Sequence, residues 1–381
     1  LICRVLHKKA NVVSHIQKVK CQNFLNQVSQ ARKEQETQLT LKLRTLMKDL
    51  PSFSEIYFRG IEPNTSVKTR IAYAFDLRIF FYFITNELDP FFGQKIQDLV
   101  VGDLDKISSI DIEKFLEFLS FYSLPNYKDP DTFIAYTNSN TGKARKLSSV
   151  RAFYKYFFKK KMIITNPAIL VDMPKNKEKP ITRLEVDEVA NLLDLVESGE
   201  ELTDSQKKYH NHNKERDLAI LALLLGTGIR VSECVGLDLD HFNFENNSFK
   251  ITRKGGNETI LYFSEEVANL LKDYIAVREA ITPYPGNEKA FFLSMQRKRI
   301  GVSAIQKLIK KYSTIITPLK NISPHKLRST YGTNLYRETG DIYLVADVLG
   351  HKDVNTTKKH YAAISEDQKR SAAKVVKLRE D

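Results

Sequence analysis

The 381-residue sequence predicts a mainly α-helical protein of two domains, with one small antiparallel β-sheet in the C-terminal half. Three observations carry this expectation. Long stretches in both halves place apolar residues three and four apart, the spacing of amphipathic helices. Short β-like runs with turn residues between them are confined to about 241–263. A segment over 172–182, with Pro174, Lys175, Lys177, Lys179 and Pro180, has the composition of an interdomain linker.

Taken in order, residues 1–50 read as polar helix with Leu39, Leu43, Leu46 and Leu50 at helical spacing, broken at Pro51 and Ser52. From Thr65 to Glu87, Ile71, Ala74, Phe75, Leu77, Ile79, Phe80 and Phe83 mark an amphipathic helix, with Thr65 and Ser66 as candidate caps. A second helix starts at Ser109 or Asp111 and carries Ile112, Phe115, Leu116 and Leu119. A third runs from near Asn140 through Leu147, Val150, Phe153, Tyr154 and Phe157 to Lys161, and Asn166-Pro167 closes what is expected to be an all-helical block. Beyond the linker, Thr182 and Glu185 stand in the spacing of a capping box. A polar loop is expected over about 198–214, then a strongly apolar helix from Asp217 through Leu225. The β segments lie around 241–244, 248–253 and 258–263, with Asn246-Asn247 and Gly255-Gly256 at the turns. The expected divisions are thus an N-terminal helical extension (1–55), a helical domain (56–172), a linker (173–182) and a second domain with a tail helix (183–381).

The three cysteines, Cys3, Cys21 and Cys234, have no C-x-x-C spacing, which argues against a zinc framework or a disulfide scaffold. No apolar run is long enough to cross a membrane, and the first twenty residues lack a signal-peptide core, so a soluble cytoplasmic protein is expected. The chain begins at Leu1 rather than Met, which leaves a trimmed start and an unusual start codon both open.

The formal net charge is +13, and its distribution is uneven. Between Asp131 and Asp172 there are eight basic residues and no acid: Lys143, Arg145, Lys146, Arg151, Lys155, Lys159, Lys160 and Lys161. Between Glu288 and Glu338 there are eleven and again no acid, from Lys289 through Arg337, with Arg297, Lys298 and Arg299 in one run. Two acid-free stretches in different halves suit two walls of a channel for a polyanion. Nucleic acid is the leading partner, with an anionic membrane surface second; a solvated basic face is the plainer reading. Lys143, Arg145, Lys146, Arg151, Arg297, Lys298 and Arg299 are the candidate DNA contacts.

Four segments of the second domain carry a chemical signal. Gly226-Thr227-Gly228-Ile229-Arg230-Val231-Ser232-Glu233 puts Arg230 and Glu233 on one helical face, where the carboxylate can orient the guanidinium. The Gly-Lys-Ser/Thr of a nucleotide-binding loop is absent, which excludes a nucleotide-driven motor. Lys254 opens the Gly255-Gly256 turn. Ser323-Pro324-His325-Lys326-Leu327-Arg328 reads as a helix start with His325 and Arg328 near its N-terminus, an end that favours phosphate. Leu349-Gly350-His351 is followed ten residues on by Tyr361. Singly, each has an ordinary reading: a surface ion pair, a wet hairpin lysine, an incidental histidine, one tyrosine among 17.

Jointly, Arg230, Lys254, His325, Arg328, His351 and Tyr361 resemble, in order and context, the tyrosine recombinases. The resemblance covers residues 183–365 and is nearest in style to Xer recombinases and integrases of mobile elements. It implies a two-domain C-clamp on duplex DNA, with 56–172 as the helical, SAM-like core-binding domain. It implies that Arg230 and Arg328 grip the scissile phosphate while Tyr361 attacks to give a 3′-phosphotyrosine and a free 5′-hydroxyl. Lys254 is then the general acid for the leaving oxygen, His325 acts in proton transfer, His351 hydrogen-bonds the phosphate and Glu233 braces Arg230. Lys254 precedes Gly-Gly-Asn rather than the more usual Gly-Lys-Gly pattern, with Arg253 the nearby alternative.

No metal and no cofactor is implied; His210-Asn211-His212 is expected to be a string in the polar loop. The implied partners are double-stranded DNA with paired recombination sites, a homotetramer on two sites joined through the tail at 366–381, and optionally an accessory DNA-bending or directionality protein. A type IB topoisomerase shares the chemistry, and a catalytically idle DNA-binding protein is the alternative from another class. Helical residues 1–50, unlike a small β-rich arm-binding domain, favour a simple recombinase.

Overall fold

The computed structural model describes residues 36–126, 129–175, 182–253, 256–351 and Val354. The chain divides into two compact units, 1–178 and 179–381. The predicted N-terminal stretch 1–35, Lys254, Tyr361 and the tail at 366–381 lie outside the described residues.

In the first unit α1 (36–47) and α2 (Ser54–Ile61) precede the long α3 (Val67–Glu87), then α4 (Ser109–Phe118) and α5 (Asn140–Lys159). Ser66 caps α3, its hydroxyl accepting the Thr69 N–H at 3.2 Å, as the sequence suggested. Leu43, Leu46, Leu50 and Phe53 are buried in the same core as α3 and α5, so this part of the expected extension packs as an integral layer. The core is aromatic: Phe153 meets Phe157 at 4.9 Å and Tyr57 at 5.0 Å, both edge-on, the orientation favoured by ring quadrupoles. Beneath it, buried Asp76 of α3 accepts a fork from Arg145 (2.6 Å to Nη2) and the Ser149 hydroxyl (2.7 Å), tying α3 to α5.

The all-helical expectation for this unit fails at one place. β1 (Phe121–Asn126) and β2 (Asp129–Thr137) form an antiparallel hairpin, with Tyr122 opposite Tyr136 and Leu124 opposite Ile134. Prolines at 125 and 130 disguise the strands. In a two-stranded ribbon each strand is an edge, where a proline is tolerated.

The second unit is built on α8 (Lys214–Thr227), apolar on all sides and therefore central. Around it lie α6 (Val186–Ser198), α10 (Glu265–Glu279), α11 (Val302–Ile316) and α12 (Pro324–Thr339). The short α9 (Val231–Cys234) follows α8, and α13 (Ile342–Leu349) follows α12. The predicted sheet is present: β3 (Phe242–Asn243), β4 (Ser248–Thr252) and β5 (Glu258–Tyr262) pair antiparallel in that order. Phe249 on its buried face stacks on Phe242, which in turn lies 4.2 Å from Phe291.

Two local expectations are corrected here. The capping box opening α6 is Glu185 with Glu188, not Thr182 with Glu185; the Glu188 carboxylate accepts the Glu185 N–H at 2.8 Å. The expected polar loop contains α7 (Asp204–His210), started by a Thr203–Gln206 box. His210 at its end is buried, with Nε2 2.7 Å from the Val196 carbonyl. Among the described residues no helix is long and apolar enough to cross a membrane.

Asp76→Ala is expected to destabilise the first unit by about 1–3 kcal/mol, discounted because Arg145 is half in water. Hydrogen exchange should accelerate in α3 and α5 and stay unchanged in α8.

Candidate active site

The site is built where three chain segments of the second unit meet the last turn of α13. The first segment leaves α8 through Gly228, which caps that helix in the left-handed conformation at φ +62°. A Cβ at Gly228 would lie 2.4 Å from Tyr331 Cδ1 and 2.9 Å from Leu349 Cδ2, so only glycine fits the close approach. The chain then turns into α9 at Arg230. Glu233 accepts the Arg230 backbone N–H on Oε2 (2.8 Å) and the Arg230 Nη1 on Oε1 (2.9 Å). The predicted pairing is therefore a capping box that also fixes the side chain. Glu233 is buried, which strengthens the pair beyond a surface one. Arg230 Nη2 reaches the Gly350 carbonyl at 3.3 Å.

The second segment is the start of α12, with Ser323 at the cap position and Pro324 at its first turn, as predicted. His325 is exposed on that first turn. Arg328, one turn on, is 4% exposed; its Nη1 donates to the Gly228 carbonyl at 2.6 Å and its Nη2 to the Leu349 carbonyl. A fully charged side chain that deep needs such acceptors.

The third segment is the end of β4. Arg253 donates from Nη1 to the Leu349 carbonyl (3.0 Å) and from Nη2 to the Val348 carbonyl (2.7 Å). Burial lowers the pKa of its guanidinium, against which Glu233 pulls upward and Arg230 pushes further down. Both arms of its fork are thus taken up by the end of α13. The backbone closes around the turn: the Arg253 N–H donates to the Asn257 carbonyl at 2.8 Å and the Gly256 N–H to the Arg253 carbonyl at 3.0 Å. Gly256 takes φ +88°.

These segments converge on α13. Its C-cap, Gly350, is left-handed at φ +61°, and a Cβ there would sit 2.8 Å from Arg253 Cζ. His351 follows directly, half-buried, with its backbone N–H on the Ala346 carbonyl at 2.9 Å. The structure thus brings Arg230, Glu233, Arg328 and the chain at His351 together, while Lys254 and Tyr361 lie outside the described residues. Arg253 is the functional-looking residue whose placement sequence reasoning missed. Its signal was a basic residue where the pattern usually has glycine.

The candidate DNA contacts divide. Lys146 is 6% exposed with Nζ on Asn138 at 2.7 Å, and burial lowers its pKa. Arg151 donates to the Ala168 carbonyl (3.0 Å) and to the Val171 carbonyl. Arg299 donates to the Val235 and Leu237 carbonyls (3.1 and 2.8 Å) and to Asp238. These three hold loops together rather than presenting their donors to solvent. Lys143 lies 2.6 Å from the Ser120 hydroxyl, and Arg145 forks onto Asp76 with its side chain 54% exposed. Arg297 and Lys298 are exposed in a turn where Arg297 takes φ +59° and Lys298 Nζ lies 4.4 Å over the Tyr284 ring.

The chain is similar to known proteins. The phage integrase family matches residues 182–368. The tyrosine recombinase XerC of Caldanaerobacter subterraneus subsp. tengcongensis is 32% identical over 353 residues, 90% of this chain and 89% of that protein. The tyrosine recombinase XerS of Lactococcus lactis subsp. cremoris is 30% identical over 362 residues, 89% of this chain and 98% of that protein. Among solved structures, the XerH site-specific recombinase bound to palindromic difH substrate aligns with a TM-score of 0.60 at 18% identity, covering 82% of this chain and 81% of that one. A lambda integrase dimer bound to a COC′ core site aligns with a TM-score of 0.56 at 15% identity, covering 81% of this chain and 94% of that one. Both share the fold.

Gly350→Ala is expected to cost about 1–2 kcal/mol from backbone conformation alone, and more as Arg253 is pushed off its carbonyls. Thermal unfolding checks this: the variant should melt below wild type, and an unchanged midpoint would contradict the left-handed cap.

Proposed function

Because the chain belongs to the phage integrase family of tyrosine recombinases, enzymes that cleave and rejoin DNA at specific sites, we propose that its cleavage centre is the arginine cluster at the end of α13, with Tyr361 as the nucleophile. The observation that carries this is the convergence of Arg230 and Arg328 on adjacent carbonyls, at Gly350 and Leu349, beside the chain that leads to His351. Two forked cations so close are suited to the two non-bridging oxygens of one phosphodiester.

A phosphodiester resists attack because its oxygens repel the incoming nucleophile, and the guanidiniums neutralise the charge that builds in the pentavalent transition state. A phenol has a reference pKa of about 10, so Tyr361 needs its proton taken as its oxygen attacks phosphorus. His325 acts in that transfer. The P–O5′ bond breaks, Lys254 gives a proton to the leaving 5′-oxygen, and the strand remains as a 3′-phosphotyrosine. His351 hydrogen-bonds the phosphate. A 5′-hydroxyl from the exchanging strand reverses the step, so bond energy is conserved and no nucleotide hydrolysis is needed.

The substrate is duplex DNA carrying paired sites. The exposed Arg145, Arg297 and Lys298 and the half-buried Lys143 are the candidate backbone contacts. Affinity should fall steeply with salt, as counterion release dictates. The XerH structure is bound to a palindromic difH substrate and the lambda integrase dimer to a COC′ core site, which supports this partner. Assembly as a homotetramer on two sites, joined through 366–381, is part of the same proposal, as are residence with the nucleoid and an accessory bending protein.

The test uses a duplex selected by the protein from a random-sequence library and nicked beside the cleavage position, so that the reaction cannot reverse. Wild type is expected to form an SDS-resistant adduct, and Tyr361→Phe to bind the duplex equally and form none. Tight specific binding without an adduct in either protein would contradict the proposal.

A further inference from the structure

Arg253 precedes Lys254, and its side-chain contacts are with the end of α13 and Glu233. Its side chain is only 9% exposed, and its fork lies on the carbonyls of Val348 and Leu349. Those carbonyls belong to the last turn of α13, where the helix dipole is negative. Arg328 shares the Leu349 carbonyl and Arg230 takes that of Gly350. Glu233 stands between two of the cations, with Oε1 2.9 Å from Arg230 Nη1 and Oε2 3.9 Å from Arg253 Nη1. Three guanidiniums thus meet on three consecutive carbonyls and one carboxylate. Burying a third cation there is costly. What the cost secures is geometry. Without Arg253, the end of α13 loses its bonds to β4, and the surface on which the other two arginines rest is free to shift.

We propose that Arg253 is a positioning residue for strand cleavage: by clamping the last turn of α13 to the end of β4, it holds Arg230 and Arg328 at the spacing one phosphate requires. This rests on the reading of those two arginines as the phosphate ligands. The role differs from that of a proton donor, because Arg253 acts on the charge-bearing oxygens through its neighbours and not on the leaving group.

The distinction can be measured with three versions of the selected, nicked duplex: a natural scissile phosphodiester, a methylphosphonate and a 5′-bridging phosphorothiolate. A methylphosphonate replaces one charged oxygen with a methyl group, so the transition state depends less on guanidinium placement. A 5′-thiolate leaves without needing a proton. The readout is the rate at which the 5′-terminated strand is released. Arg253→Gln is expected to bind DNA as wild type does and to cleave the phosphodiester about 10–100-fold more slowly, the range for losing a supporting hydrogen-bond partner. Its deficit should shrink to about threefold or less on the methylphosphonate, where charge stabilisation matters least, and persist on the phosphorothiolate. Arg253→Lys, which keeps the charge but not the fork, should fall between, and it carries the test if Arg253→Gln binds DNA poorly.

An equal deficit on all three substrates, a deficit cured only by the phosphorothiolate, or no deficit would each overturn the proposal. Arg230→Ala separates its failure from that of the underlying reading: it should show the same methylphosphonate rescue. If Arg230→Ala is not rescued, the assignment of the phosphate ligands falls, and this inference with it. If wild type cleaves none of the duplexes, the proposed cleavage centre itself fails.

Discussion

The three carbonyls at Val348, Leu349 and Gly350 organise the second unit's arginine cluster. An α-helix ends with acceptors it cannot satisfy, and α13 spends them on arginines from three distant parts of the chain. Everything nearby is shaped to allow this. Gly228 lets Tyr331 and Leu349 approach, Gly350 leaves room for the Arg253 guanidinium, and the buried Glu233 balances part of the charge. Apolar α8 delivers Arg230 to the cluster, the small sheet delivers Arg253, and the proline-started α12 delivers Arg328.

Charge tells a more divided story than the sequence alone suggests. The two acid-free windows mark basic stretches, yet Lys146, Arg151 and Arg299 turn their donors inward to side-chain and backbone oxygens. Arg145 does both, forking onto buried Asp76 while half its side chain faces solvent. An acid-free run in one dimension says nothing of an acid contributed from elsewhere. Asp76 lies 69 residues before Arg145, and Asp238 lies 61 before Arg299. Among the described residues of the two windows, fewer donors face solvent than the sequence implies.

The site was legible where function depends on short spacing. Arg230 with Glu233, the start of α12 at Ser323-Pro324, the cap at Gly350 and the strands either side of the turn after Arg253 were all readable, because each is set by residues within a few positions. The hairpin at 121–137 was not, since its prolines masked an alternation that a two-stranded edge tolerates. Helix α7 was missed because its seven polar residues have no apolar period to detect, and buried His210 shows only in three dimensions that they pack. The role of Arg253 depends on carbonyls 95 and 96 residues away, which no local pattern encodes.

The most direct measurement is the identity of the residue that holds the DNA. The covalent adduct would be digested with protease and nuclease, and the peptide bearing the residual nucleotide sequenced by mass spectrometry. The account predicts a 3′-nucleotide remnant on the peptide containing Tyr361. A remnant on Tyr331, Tyr336 or Tyr343, or on any serine, would contradict it.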